Sequence, residues 1–171
     1  MRWFLIIGGA LVAVFVGVYV WLGGLKPPTV ELLTTEQPVF LAGKPFKGVP
    51  NAEFGKLTGE VAELQRRGTV RGVLGNIFYN DVEKQGQPVE AFVGLVVPDT
   101  TQRLPIGYRY RVFAGGQKVL RARTDASFML APGQLYSAVK DEAEKRKLKL
   151  RNVFVEQYPE NGTSEVLATV Q

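Results

Sequence analysis

Asn76-Ile77-Phe78 is echoed 76 residues later by Asn152-Val153-Phe154, and Leu57 with Val61 is echoed 78 residues later by Leu135 with Val139. Neither echo persuades alone, but each falls at the same place in a repeated order of elements, and that order decides the fold. Around the first pair, Phe54, Leu57, Val61 and Leu64 recur at three and four residues, the spacing of a helix with one face on a sheet. Asn51 suits the N-cap, Glu53 the first turn, and Gly68 the position after Arg66-Arg67, so a helix is expected over 52–67. Gly72–Tyr79 and Val89–Val97 read as the strands that follow it, with a polar connection from Asn80 to Pro88. The second helix is expected from Pro132 to Leu148, with proline in its first turn and Leu135, Val139 and Ala143 buried. Strands over 152–158 and 165–170 follow it, and the Asn161-Gly162 between them is a strong hairpin signal.

Strand segments also precede each helix. Val30–Leu33 and Val39–Ala42 form the first region, interrupted by Pro38, which suits an edge position or a bulge. Tyr108–Phe113 and Lys118–Thr124 precede the second helix, and Ala114-Gly115-Gly116-Gln117 reads as a tight hairpin turn between them. The expected fold is therefore α+β, a duplicated strand–helix–strand–strand unit with copies at about 29–98 and about 108–171 within one domain over 27–171. A unit of roughly 70 residues buries too little core by itself, so the copies should pack together. The seam between them is the natural place for a ligand.

The first 26 residues differ in kind. Trp3 to Leu25 are 23 consecutive uncharged positions, 18 of them apolar and the other five Gly. As a helix this run would be roughly 34 Å long, against a hydrocarbon core of about 30 Å. Trp3, Tyr19 and Trp21 lie toward its ends, where amphipathic rings favour the headgroup level, and Pro27-Pro28 is expected to stop the helix. The run exceeds the apolar region of a signal peptide, about 7–15 residues, and lacks a good cleavage site. A single-pass transmembrane anchor over 1–26, in contact with membrane lipid, is expected. Arg2 against Lys26 does not decide which side of the membrane holds the domain. Gly9, Ala13 and Gly17 make a small-residue face through which two copies could dimerise.

Composition excludes much chemistry. With no Cys and no His there is no disulfide, thiolate nucleophile, Cys/His zinc site or imidazole acid–base pair. No cofactor motif, metal-ligand cluster or catalytic constellation stands out. The net charge of +5 comes without a reading helix or an aromatic RNA motif, so no nucleic-acid partner is expected. The basic run 145–151 suits the end of a helix, or a headgroup contact if the domain faces anionic lipid.

Ile77-Phe78-Tyr79-Asn80-Asp81-Val82, followed by a polar loop and Glu90 to Val97, resembles the central hairpin of GyrI-like domains, also called bacterial effector-binding or SOUL-related domains. Lys145-Arg146-Lys147-Leu148 ahead of Val155-Glu156-Gln157-Tyr158-Pro159-Glu160-Asn161 resembles the family's Glu-x-Tyr strand and acidic turn. The resemblance spans roughly Val30 to Val170. Its layout is also similar to a membrane-anchored GyrI-like reticulophagy receptor of animals, whose acidic adaptor-binding tail has no counterpart in these residues. It implies a groove between the copies that recognises a small, lipophilic or cationic molecule or a protein partner. The implied ligand-binding residues are Glu156 as polar anchor, with Tyr158 and Tyr79 as walls. From spacing alone, Glu156 reads equally as an exposed strand residue or one paired with Arg121 or Arg123. A hydrolase using a groove glutamate is the enzymatic alternative, disfavoured because both Trp residues lie in the apolar run. A scaffold with a filled groove is the third reading.

Overall fold

The computed structural model describes residues 2–80 and 86–171; the side chains of residues 2–6 and of Ala10 are outside that description. Asp81 and Val82 of the hairpin motif, and the Trp3 ring, therefore lie outside the described residues. The order is α1 (Arg2–Trp21), β1 (Thr29–Thr34), β2 (Val39–Gly48), α2 (Ala52–Arg66), β3 (Val73–Phe78) and β4 (Val89–Val97). It continues with β5 (Arg109–Phe113), β6 (Lys118–Thr124), α3 (Ala131–Lys145), β7 (Leu150–Tyr158) and β8 (Ser164–Val170).

All eight strands form one antiparallel sheet in the order β1-β6-β8-β7-β3-β4-β2-β5. The order is symmetric about the β7–β3 junction, where Phe78 pairs with Phe154, so the echoed Asn-x-Phe triplets meet at the pseudo-twofold axis. The duplication is real, but each copy has two strands before its helix, and the first of each is exchanged. β1 pairs with β6 of the second copy, and β5 pairs with β2 of the first.

This exchange corrects two readings of the sequence. Val30–Leu33 and Val39–Ala42 are not one region broken by Pro38; they are separate strands near opposite ends of the sheet, and Pro38 lies in the link between them. Residues 114–117 do not close a hairpin either, because β5 and β6 do not pair. In a flat sheet each of these links would span six strand spacings, about 29 Å. Four linking residues reach at most about 18 Å, so the sheet must curl until its ends meet. They meet where Thr35 N–H donates to the Gln117 carbonyl at 2.9 Å and Gly116 N–H donates to the Thr35 carbonyl. Gly43, Gly94 and Gly75 face one another across β2, β4 and β3. A Cβ at any of them would come within 2.1–2.4 Å of a neighbouring carbonyl oxygen, so only glycine permits this close coiling.

The curl explains two cores. Inside it, Leu41, Ile77, Phe92, Phe113, Val119, Val155 and Leu167 are buried without a covering helix. On the other face, Val61 of α2 and Leu135, Tyr136 and Val139 of α3 pack on Phe78, Val93, Phe154, Tyr158 and Val166. Asn51 caps α2 as read from the sequence, its carboxamide oxygen accepting from the Glu53 and Phe54 amides. β2 continues past Ala42 through Pro45; β5 pairs only with residues 39–43, so the missing proline N–H costs no ladder bond on that side. α3 ends at Lys145, short of the expected Leu148, because Lys147 turns left-handed at φ 55°.

α1 is helical for 20 residues, a length of about 30 Å. It ends at Trp21, not at Pro27-Pro28. Gly23, at φ 81°, donates to Val20 and Gly24 donates to Tyr19, the paired bonds of a Schellman cap. Among residues with described side chains, no helix is long and apolar enough to cross a membrane; in α1 that description starts at Ile7 and omits Ala10. From Leu11 to Trp21 the side chains are exposed, as are Gly9, Ala13 and Gly17, and nothing lies within 4 Å of a Cβ placed on Gly9 or Gly17.

Candidate functional site

Alternation along β7 puts Phe154, Glu156 and Tyr158 on the helix-covered face. Glu156 is only 5% exposed. It faces neither arginine named from the sequence: Arg121 pairs with Glu31 and Glu165, and Arg123 with Glu165. Instead the Tyr136 hydroxyl of α3 donates to Oε1 at 2.5 Å, and the Asn76 amide of β3 donates to Oε2 at 3.2 Å. Both copies thus hold the carboxyl, since Asn76 pairs directly across from Glu156.

Burial raises the Glu156 pKa above the ordinary carboxylate value, and the donors Tyr136, Asn76 and Tyr158 offset this only in part. A buried carboxyl without a cation beside it favours its neutral form. The Tyr158 hydroxyl is also pushed up, by burial first and by the Glu156 charge second. It is buried without a hydrogen-bond partner of good geometry, as are Asn76 Oδ1 and Ser127 Oγ. Each such atom costs roughly 1–3 kcal/mol; Tyr158 and Ser127 border the same space, while Asn76 sits behind it against Glu156.

That space is a cleft of about 380 Å³ at the seam of the two copies. Ala62 and Gln65 of α2 form one wall, Asp125 to Phe128 the other, Leu74 and Tyr158 the floor, and Pro159 to Gly162 the rim. Phe128 is 56% exposed and stands edge-on to Tyr158, ring centroids 5.2 Å apart. Tyr136 packs on Phe154 at 5.4 Å. Glu156 lies two residues behind Tyr158 on the same strand face, beyond the floor of the open cleft.

Tyr79 is not brought to this cleft. It packs at the other face, inside the curl, with the Arg111 guanidinium 5.9 Å from its ring centroid. The reason is parity: Asn76 and Phe78 share the helix side of β3, so Tyr79 must turn away. Sequence reading missed Tyr136 and Asn76. Tyr136 sits three residues before the core residue Val139, which is helical spacing for a second buried position. Asn76 stood in the repeated triplet, yet nothing local marks an asparagine as a partner for a glutamate 80 residues away.

No family model matches the chain, and no curated protein matches it in sequence. Solved structures do share its fold. The integron cassette protein VCH_CASS2 from the mobile metagenome of Vibrio cholerae superposes with a TM-score of 0.61 at 11% identity, over 85% of this chain and 97% of its own. EcmrR, seen in a complex with DNA, superposes with a TM-score of 0.58 at 12% identity, over 97% of this chain and 67% of its own. SAV2435, solved bound to tetraphenylphosphonium, gives 0.52 at 10% identity, over 84% of this chain and 93% of its own. At these identities the likeness establishes the fold alone.

Proposed function

We propose that the chain is a membrane-anchored sensor whose seam cleft binds a small lipophilic cation, with Glu156 as the anionic anchor and Tyr158 and Phe128 as aromatic walls. The observation that carries this reading is a buried carboxyl with no cationic side chain beside it among the described residues, just behind a cleft whose lining includes Tyr158 and Ser127, each with an unpartnered hydroxyl. A cation entering the cleft would supply the missing charge, and the ring faces would add attraction to it. Reaching Glu156 requires the Phe128 and Tyr158 rings to part. Tetraphenylphosphonium, which SAV2435 binds on the same fold, has the matching chemistry.

The anchor is α1. Its support is the 23-residue uncharged run, a helix of about 30 Å, and the exposed apolar side chains from Leu11 to Trp21. A helix that is apolar all round is buried, in a protein core or in a membrane, and no protein covers the described side chains of α1 from Leu11 to Trp21.

The test is calorimetric titration of tetraphenylphosphonium into the full chain in lipid nanodiscs, with empty nanodiscs as reference. Saturable binding that weakens at least tenfold in Glu156→Gln is expected. Equal affinity in both proteins would refute the anchor role, and the absence of saturable binding would refute the ligand class.

A further inference from the structure

The segment from Ala126 to Gln134 carries no charge over nine residues, in a domain rich in charge elsewhere. It holds two of the most exposed large apolar side chains outside α1, Phe128 at 56% and Met129 at 81%. It is also the surface on which the end of α1 docks. Ser127 N–H donates to the Leu22 carbonyl at 2.9 Å, one residue past α1. The Gln134 amide reaches the carbonyls of Gly23 and Gly24 at 3.4 and 3.3 Å. The contact at Gly23 is close enough that a Cβ there would meet the Ala126 Cα at 3.0 Å.

These contacts fix a height. If α1 spans the bilayer, residues 22–25 lie at the boundary between hydrocarbon and headgroups, a layer roughly 5–8 Å deep on each side. Ser127 touches Leu22 directly, and Phe128 and Met129 follow within one and two Cα steps of about 3.8 Å. We propose that 126–134 is a second membrane contact, with Phe128 and Met129 set in the headgroup layer. This rests on the anchor reading above. Because Asp125 to Phe128 also form a wall of the cleft, the cleft mouth then opens at the bilayer surface. The ligands suited to it are amphipathic molecules already concentrated in the membrane. Asp125 and Glu160 line the cleft, and Lys26 and Asp141 line the neighbouring hollow with Gly24 and Gln134; in this pose those charges belong on the aqueous side of the contact. The basic run after α3 is remote from it, because the 15-residue helix separates the two by roughly 20 Å.

The proposal is tested with the full chain in phosphatidylcholine nanodiscs containing a headgroup nitroxide lipid. In a Trp3→Phe, Trp21→Phe background, Phe128→Trp and Met129→Trp each supply one fluorophore; a Trp3→Phe protein reports on Trp21. Quenching of both loop tryptophans to within about twofold of Trp21 is expected, with emission shifted to the blue. Quenching of Trp21 with neither loop tryptophan affected would overturn the second contact while leaving the anchor standing. If Trp21 also escapes quenching, the anchor fails and the second contact fails with it. Met129 is so exposed that its replacement leaves packing intact, which keeps the result readable if Phe128→Trp disturbs the cleft.

Discussion

Tyr136→Phe removes one oxygen atom, and its effect follows from what that oxygen holds. The hydroxyl donates to Glu156 at 2.5 Å inside the protein, where water cannot replace it. A hydrogen bond to an ionised group contributes about 1.5–3 kcal/mol, and one between neutral groups about 1 kcal/mol. Tyr136→Phe is therefore expected to cost about 2 kcal/mol when Glu156 is ionised and about 1 kcal/mol when it is neutral. For a domain of this size each kcal/mol moves Tm by about 3 °C. Thermal melts of the full chain in detergent micelles, followed by circular dichroism, should show a deficit of about 6 °C in alkaline buffer and about 3 °C in acid. Placing the same change in a Glu156→Leu background completes a double-mutant cycle, where the cost of losing the hydroxyl should shrink by at least about 1 kcal/mol. An equal cost in both backgrounds would refute the reasoning, since the hydroxyl would then act through something other than Glu156.

Three further outcomes follow from the structure. The raised pKa of folded Glu156 means that, above the ordinary carboxylate range, the folded protein keeps a proton which the unfolded chain releases; stability from this group is thus greatest in acid and falls as pH rises toward the folded pKa. Glu156→Gln should flatten that part of a Tm–pH curve, and an unchanged slope would contradict the burial argument. Lys147→Gly should stabilise the domain by somewhat under 1 kcal/mol in denaturant melts, because the left-handed φ of 55° costs a side-chain-bearing residue about 1–2 kcal/mol and glycine loses about 0.5–1 to entropy. Gly94→Ala should cost about 3 kcal/mol or more, since its Cβ would lie 2.3 Å from the Ala42 carbonyl oxygen, between Gly43 and Gly75 in the glycine row of the curl; a wild-type melt would show that the sheet can relax there.

What the sequence made legible was local. Helix spacing, the Asn51 cap and the repeated triplets are short-range signals; they placed both domain helices and revealed the duplication, and the strand register then put the symmetry axis at Phe78 and Phe154. The exchange of β1 and β5 was not legible, because a four-residue link containing glycines looks the same whether it closes a hairpin or joins two ends of a curled sheet. The aligned glycines 43, 75 and 94 carried that information, but only the strand register brings them together. The site divides the same way. Glu156 and Tyr158 share a face by strand parity, which the sequence contains. Tyr79 was excluded by the same parity once β3 was set against β7, and Tyr136 and Asn76 joined through contacts between elements far apart in the chain. α1 stopped early because a glycine in the left-handed conformation ends a helix before a later proline can.

The central claim is that a cation in the cleft draws its stabilisation from the charge on Glu156. Calorimetry of tetraphenylphosphonium binding in buffers of different ionisation enthalpy measures it most directly, because below its raised folded pKa the carboxyl must lose its proton when the cation arrives. Release of about one proton per cation bound, at a pH below the folded Glu156 pKa, with none released in Glu156→Gln, is the expected result. Binding with the same enthalpy in every buffer throughout the range from pH 5 to pH 8, undiminished by Glu156→Gln, would contradict it.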